Sequence, residues 1–183
     1  MDFSYDEYKL TELIVYVADR LSDDRAGGST KLNKVLFFAD FTHVRRHGAP
    51  ITGAEYQHLP HGPAPRKLVP LRKRLVESGD AELVEEEFLG RPQHRLVMHR
   101  RADTSAFSSE EIDTIDRVLD DLAGLTGTQV SALSHEEAAW RHTGDGETIP
   151  YELALVPKEQ LVTPTARRIG SEIAERYQVT NAG

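Results

Sequence analysis

The chain has 183 residues, no cysteine, and 30 Asp+Glu against 22 Lys+Arg, for a formal net charge of −8. A chain of that length buries about 70% of its unfolded surface in a single domain, so neither disulfides nor a structural metal is needed for stability. The missing thiols exclude disulfide frameworks, thiolate zinc sites, iron–sulfur clusters and cysteine nucleophiles, and the acidic balance argues against a surface built wholly for nucleic acid.

No apolar run approaches the roughly 18 residues of a membrane span, and the N-terminus MDFSYDEYK lacks the basic-then-apolar order of a secretory signal. A cytoplasmic location with no membrane partner is the expectation. Leu10, Leu13, Ile14, Val17 and Leu21 recur at helical spacing. They predict a first helix that presents Lys9, Glu12 and Asp19-Arg20 to water and stops near Ala26-Gly27-Gly28. A second helix opens with Ser29 or Thr30 as N-cap and ends near Gly48. Its stripe of Leu32, Val35, Leu36 and Ala39, widened by Phe37, Phe38 and Phe41, predicts a central helix packed on more than one side.

From Ile51 to Pro65 the prolines and the interleaved Tyr56, His58 and His61 predict an extended or turn segment around His61-Gly62-Pro63. A third helix beginning beside Pro65 buries Leu68, Leu71 and Leu75, with Arg66, Lys67, Arg72, Lys73 and Arg74 on its other faces. Two strands, Ala81 to Phe88 and His94 to Met98, form a hairpin through Leu89-Gly90-Arg91-Pro92. Glu85-Glu86-Glu87 faces Arg95, His99, Arg100 and Arg101 across it, each contact being worth a few tenths of a kcal/mol. Ser108-x-x-Glu111 is a capping box for a fourth helix carrying Ile112, Ile115, Leu119 and Leu122, and Ser134-x-x-Glu137 repeats the device before Trp140. A last helix from about Pro164 carries Ile169, Ile173 and Tyr177, and Thr180 to Gly183 fray. The sum is an α+β, mainly α fold: one domain of five to six helices with a small β-hairpin, winged-helix-like, with residues 156–183 as a helical extension.

Catalytic signals are scarce. Asp40, His43 and His47 share a helical face, which could hold a metal for a hydrolase with His58 and His61 folded back. However, Val44-Arg45-Arg46 replaces the glutamate of a zinc protease and opposes a cation. No nucleophile elbow or phosphate loop is present, and Gly27-Gly28-Ser29-Thr30-Lys31 lacks the first glycine of a Walker motif. No catalytic residues, metal or cofactor are therefore expected. The basic third helix followed by a hairpin offers a DNA-binding alternative through Arg66, Lys67, Arg72, Lys73 and Arg74, against a solvated helix face paired with the acidic remainder.

The Lys31-Leu32-Asn33-Lys34 helix, Ile51-Thr52-Gly53, the Gly62-Pro63 turn, and the late Ser134-His135 and Trp140, followed by Ile149-Pro150-Tyr151, resemble the SocA-like antitoxin family, or Panacea domain (DUF4065), over roughly residues 8 to 155. The resemblance implies a mainly helical bacterial or phage antitoxin that binds a cognate toxin. In one branch it acts as an adaptor to the ClpXP protease. Tyr56, His58, His61, Gly62, Pro63, Trp140 and Tyr151 are the expected partner-binding residues, with Tyr56, His58 and His61 at the surface. The Trp140 ring is expected in the core, its indole N–H bonded at a polar edge.

Overall fold

The computed structural model describes residues 3–156. The elements in chain order are α1 (Glu7–Arg20), α2 (Ser29–His47), β1 (Tyr56–Gln57), β2 (Ala64–Pro65), α3 (Leu68–Glu77), β3 (Ala81–Phe88), β4 (Arg91–Met98), α4 (Ser109–Asp121), α5 (Gly127–His135), α6 (Ala138–Arg141) and β5 (Thr148–Ile149). Short 3-10 turns occupy Thr104–Ala106 and Tyr151–Leu155. The mainly helical α+β class expected from the periodicities is what forms. The helix expected from about Pro164, and the fraying expected at Thr180 to Gly183, lie outside the described residues.

α2 is the hub because its apolar stripe is too wide for one neighbour. Leu32, Val35, Leu36, Phe37, Ala39, Phe41 and Val44 are all buried, and the helix packs against α1, α4, α5, β2, β4 and the Tyr151–Leu155 turn. Its N-cap is Gly28, with no side-chain bond to the cap, while Ser29 sits inside the helix and donates its hydroxyl to the His94 carbonyl at 3.0 Å. The expected stop holds: Gly48 takes φ +80°, where a side chain would be strained.

α1 buries Leu10, Leu13, Ile14 and Val17 as its spacing predicts, but it ends at Arg20. Asp24, in the turns that follow, accepts the Ala26 amide and the Lys31 ammonium. Glu12 is a correction. It is 2% exposed rather than solvated, and its carboxylate takes two bonds from Arg100 at 2.7 and 2.9 Å and one from the Asp103 amide at 2.7 Å. Arg100 and Arg101 thus reach Glu12 and Asp19 on α1 instead of crossing the hairpin to the glutamate run.

Within the β3–β4 hairpin the glutamates meet His94, whose Nδ1 is 3.8 Å from Glu85, and Arg95, whose Nε is 2.8 Å from Glu86. The rest of its guanidinium donates to the carbonyls of Leu21, Asp24 and Arg25, tying the hairpin to the α1–α2 connection. β4 begins earlier than expected, at Arg91, so the loop is the two residues Leu89 and Gly90. Both have positive φ (51° and 74°), as the tightest hairpin turn requires.

The segment read as extended or turn contributes a second sheet. β1 is its central strand, with Tyr56 opposite Pro65 on β2 and Ile149 on β5. The Ser108–Glu111 capping box forms. Ser134–Glu137 does not: Ser134 lies buried within α5 and donates to the Ser131 carbonyl, and Glu137 is itself the residue before α6 and pairs with Arg45. The second capping box is Thr126–Gln129, which opens α5.

Candidate functional site

Lys34, His58, Ser134, His135 and Trp140, singled out in the sequence from distant positions, converge on the turn His61-Gly62-Pro63. Gly62 donates its amide to the Leu59 carbonyl at 2.8 Å and has φ +91°. A Cβ there would strike the Ser134 hydroxyl and the end of Lys34, so both φ and space demand glycine. Lys34 lies within the apolar stripe of α2, 2% exposed, and its ammonium donates to the Pro63 carbonyl at 3.0 Å. Burial pushes its pKa down to about 8. From α5, the Ser131 hydroxyl donates to the His61 carbonyl at 2.5 Å. Helix α2 and helix α5 thus grip the turn from two sides.

Trp140 completes the assembly. Its ring lies between two imidazoles, His58 at 4.3 Å and His135 at 4.0 Å between centroids, both within about 20° of parallel. The indole N–H donates to the Leu59 carbonyl at 3.3 Å, the polar-edge bond expected of it. The ring itself is half-buried and therefore sits at the margin of the core, not within it. His58 is buried, with Nδ1 at 3.0 Å from the Thr143 hydroxyl, and burial together with Lys34, His58 and His61 holds the His135 pKa below its ordinary value. Only His61 of the three expected surface residues is exposed; Tyr56 is fully buried and His58 is 8% exposed.

Tyr56 belongs to a buried polar knot under the second sheet. Asp40 is 0% exposed and accepts the Thr52 amide (2.8 Å) and hydroxyl (2.6 Å), with the Tyr56 and Tyr151 hydroxyls at 2.8 and 3.3 Å. Burial raises its pKa although these hydrogen bonds pull the other way. This disposes of the Asp40–His43–His47 grouping: the carboxylate is turned into the knot, His43 Nδ1 is bonded to the Ala49 carbonyl at 2.6 Å, and the His43 and His47 rings stack. His58 and His61 lie at the clamped turn instead. No cluster of three or more metal-ligating side chains occurs among the described residues.

Beside the clamped turn opens a groove of about 850 Å³ between the start of α2, the tip of the hairpin and α5, with His61 and His135 in one wall. Sequence reading missed it, because its walls are 26–31, 88–94 and 126–135, three segments with no common motif. It also missed Lys34 as a buried ion, although Lys31 and Lys34, three residues apart within an apolar stripe, carried the signal. Among the basic residues around α3, Arg66 pairs with Glu55 (2.6 Å), Lys73 with Glu77 (3.5 Å) and Arg74 with Glu7 (2.7 Å). Lys67 is exposed and Arg72 half-buried, and Val69 beside them is exposed.

No helix among the described residues is long and apolar enough to cross a membrane. No curated protein and no solved structure matches the chain. The family model described as antitoxin SocA-like, Panacea domain, matches residues 32–141, which is more than half of the sequence and contains Lys34, the His61-Gly62-Pro63 turn, His135 and Trp140. On that match the chain belongs to the antitoxin SocA-like family and carries its Panacea domain.

Proposed function

We propose that the protein is a toxin-neutralising antitoxin that acts by direct binding and has no chemistry of its own. The family match over residues 32–141 carries this reading. The geometry agrees with it: the polar groups nearest the clamped turn hold the fold together, Lys34 by bonding Pro63 and Ser131 by bonding His61, and they do not converge on a point where a substrate atom would sit. The exposed His61 and the groove beside it are the proposed contact surface, while Gly62, Pro63, His58 and Trp140 shape that surface from behind and Tyr56 and Tyr151 support it through the Asp40 knot.

Co-expression with the gene product encoded beside this chain tests the reading. Growth rescue together with a complex that co-purifies is the expected result, and a neighbour that is harmless alone or binds no copy of this protein overturns it. The reading has a stronger form, supported by the family resemblance, in which the complex delivers its toxin to a ClpXP-type protease. Toxin levels that fall only when both this chain and the protease are present would be its signature. Use of the basic α3 surface on DNA is the competing proposal, and three ion pairs to acids of the same chain weigh against it.

A further inference from the structure

The groove differs from the rest of the molecule in charge. Among the described residues eighteen line it and none is Asp or Glu, whereas at the chain's overall frequency about three would be. Arg91, His61, His94 and His135 line it, with the His94 ring 3.8 Å from Glu85 across the hairpin and Lys31 already neutralised by Asp24 at 2.5 Å. α2 and α5 both begin at its edge, neither has an acidic residue in its first turn, and the cap of α2 is a glycine that offers no side-chain acceptor. The Nε2 atom of His135, in the groove wall, is buried and has no hydrogen-bond partner among the described residues. On the hairpin side the lip is apolar: Phe88, and Leu89, which is 78% exposed and held at φ +51°.

Resting on the antitoxin reading, we infer that this groove receives an acidic linear segment of the toxin, one or two carboxylates beside an apolar side chain. The carboxylates meet Arg91 and the imidazoles, and the apolar residue lies against Phe88 and Leu89. A planar guanidinium takes a carboxylate in two parallel hydrogen bonds, which gives direction as well as attraction. A nucleic-acid backbone fits less well. Among the described residues Arg91 is the one wall cation with no acidic partner, and a single guanidinium suits one or two carboxylates better than a run of phosphates. The chain's own residues 157–183 are no better a match, since Lys158, Arg167, Arg168 and Arg176 outnumber Glu159, Glu172 and Glu175.

The test uses the full chain, the co-encoded toxin, and labelled peptides of about twelve residues tiling that toxin. The groove is expected to select the acidic tiles. The double variant R91E/H94E should bind both toxin and tile at least tenfold more weakly while keeping its far-ultraviolet circular dichroism, a glutamate at 94 opposite Glu85 lowering the unfolding temperature slightly. A Glu→Arg change in the selected tile should restore part of the loss. Hydrogen exchange should slow at 26–31, 88–94 and 126–135 when toxin is added. If wild type and R91E/H94E bind toxin equally, or exchange slows elsewhere, the groove assignment is overturned while the antitoxin reading stands. If wild type binds no toxin, both fall. Protection of the same three segments by a DNA duplex but not by toxin, or by raising the protein concentration alone, would assign the groove to nucleic acid or to a second copy and overturn the proposal.

Discussion

The Asp40 knot shows how much one buried carboxyl group organises. The Tyr56 hydroxyl lies 2.8 Å from both Asp40 and the Leu36 carbonyl, and the Tyr151 hydroxyl lies 2.7 Å from the Ala54 carbonyl. Burial raises the Asp40 pKa while the bonds from Thr52 and Tyr56 oppose the rise, so loss of the charge matters less than loss of the acceptors. D40N, which keeps an acceptor for the Thr52 amide, should lose less stability by urea unfolding than removal of the group. D40A, which strands the Thr52 amide and hydroxyl, should cost about 2–4 kcal/mol. Lys34 titrates with the opposite consequence. Its folded pKa of about 8 lies below the ordinary lysine value, so the unfolded chain binds more protons between the two. Its contribution to stability should rise as pH climbs from about 8 toward 10.5, and K34M should remove that rise from the pH dependence of urea unfolding. G62A tests the clamp, since the added methyl meets Ser134 and Lys34 at a positive φ. A fall of several degrees in unfolding temperature and lost Trp140 burial, seen as a red-shifted emission, are the expected outcomes.

At the scale of elements, the helices were legible where burial follows a 3.6-residue period, as in α1, α3 and α4. The errors fall where a side chain's partner comes from a distant part of the chain. Glu12 reads as a solvated position until Arg100, 88 residues away, is brought beside it. Of the Ser/Thr-x-x-Glu/Gln patterns, those at Ser108 and Thr126 form capping boxes, while the one at Ser134 cannot, because Thr126 already starts the helix in which Ser134 is buried. Strands of two residues carry no alternation to read, which is why β1, β2 and β5 looked like loop. The hairpin was found, but its turn was read as four residues because Pro92 suggested loop. In the fold Pro92 sits opposite Glu87 inside β4. Leucine at φ +51° is poorly suited to such a turn, so L89N should stabilise the isolated protein by about 0.5–1 kcal/mol in chemical denaturation. If Leu89 contacts the toxin as inferred, the same change should weaken binding, which separates a turn retained for function from one that is merely tolerated.

For the whole molecule, one core runs from α1 through α2 to α4 and the second sheet without a break. Thermal unfolding followed by Trp140 fluorescence and by far-ultraviolet circular dichroism should give a single coincident transition, and two separated midpoints would show that the core divides. Sequence alone determined the chain's class, its main helices, its lack of thiol chemistry and the family it resembles, because composition, periodicity and short motifs are local properties. It also marked Gly62-Pro63, Lys31-Leu32-Asn33-Lys34 and Trp140 as belonging together without saying how. Tertiary structure alone decided that Lys34 is buried against Pro63, that Trp140 lies between His58 and His135, that Tyr56 is buried against Asp40, and that 26–31, 88–94 and 126–135 enclose a groove with no carboxylate among its described lining residues. Each of these depends on desolvation and on contacts between residues far apart in the chain, and neither is encoded in the spacing of neighbours.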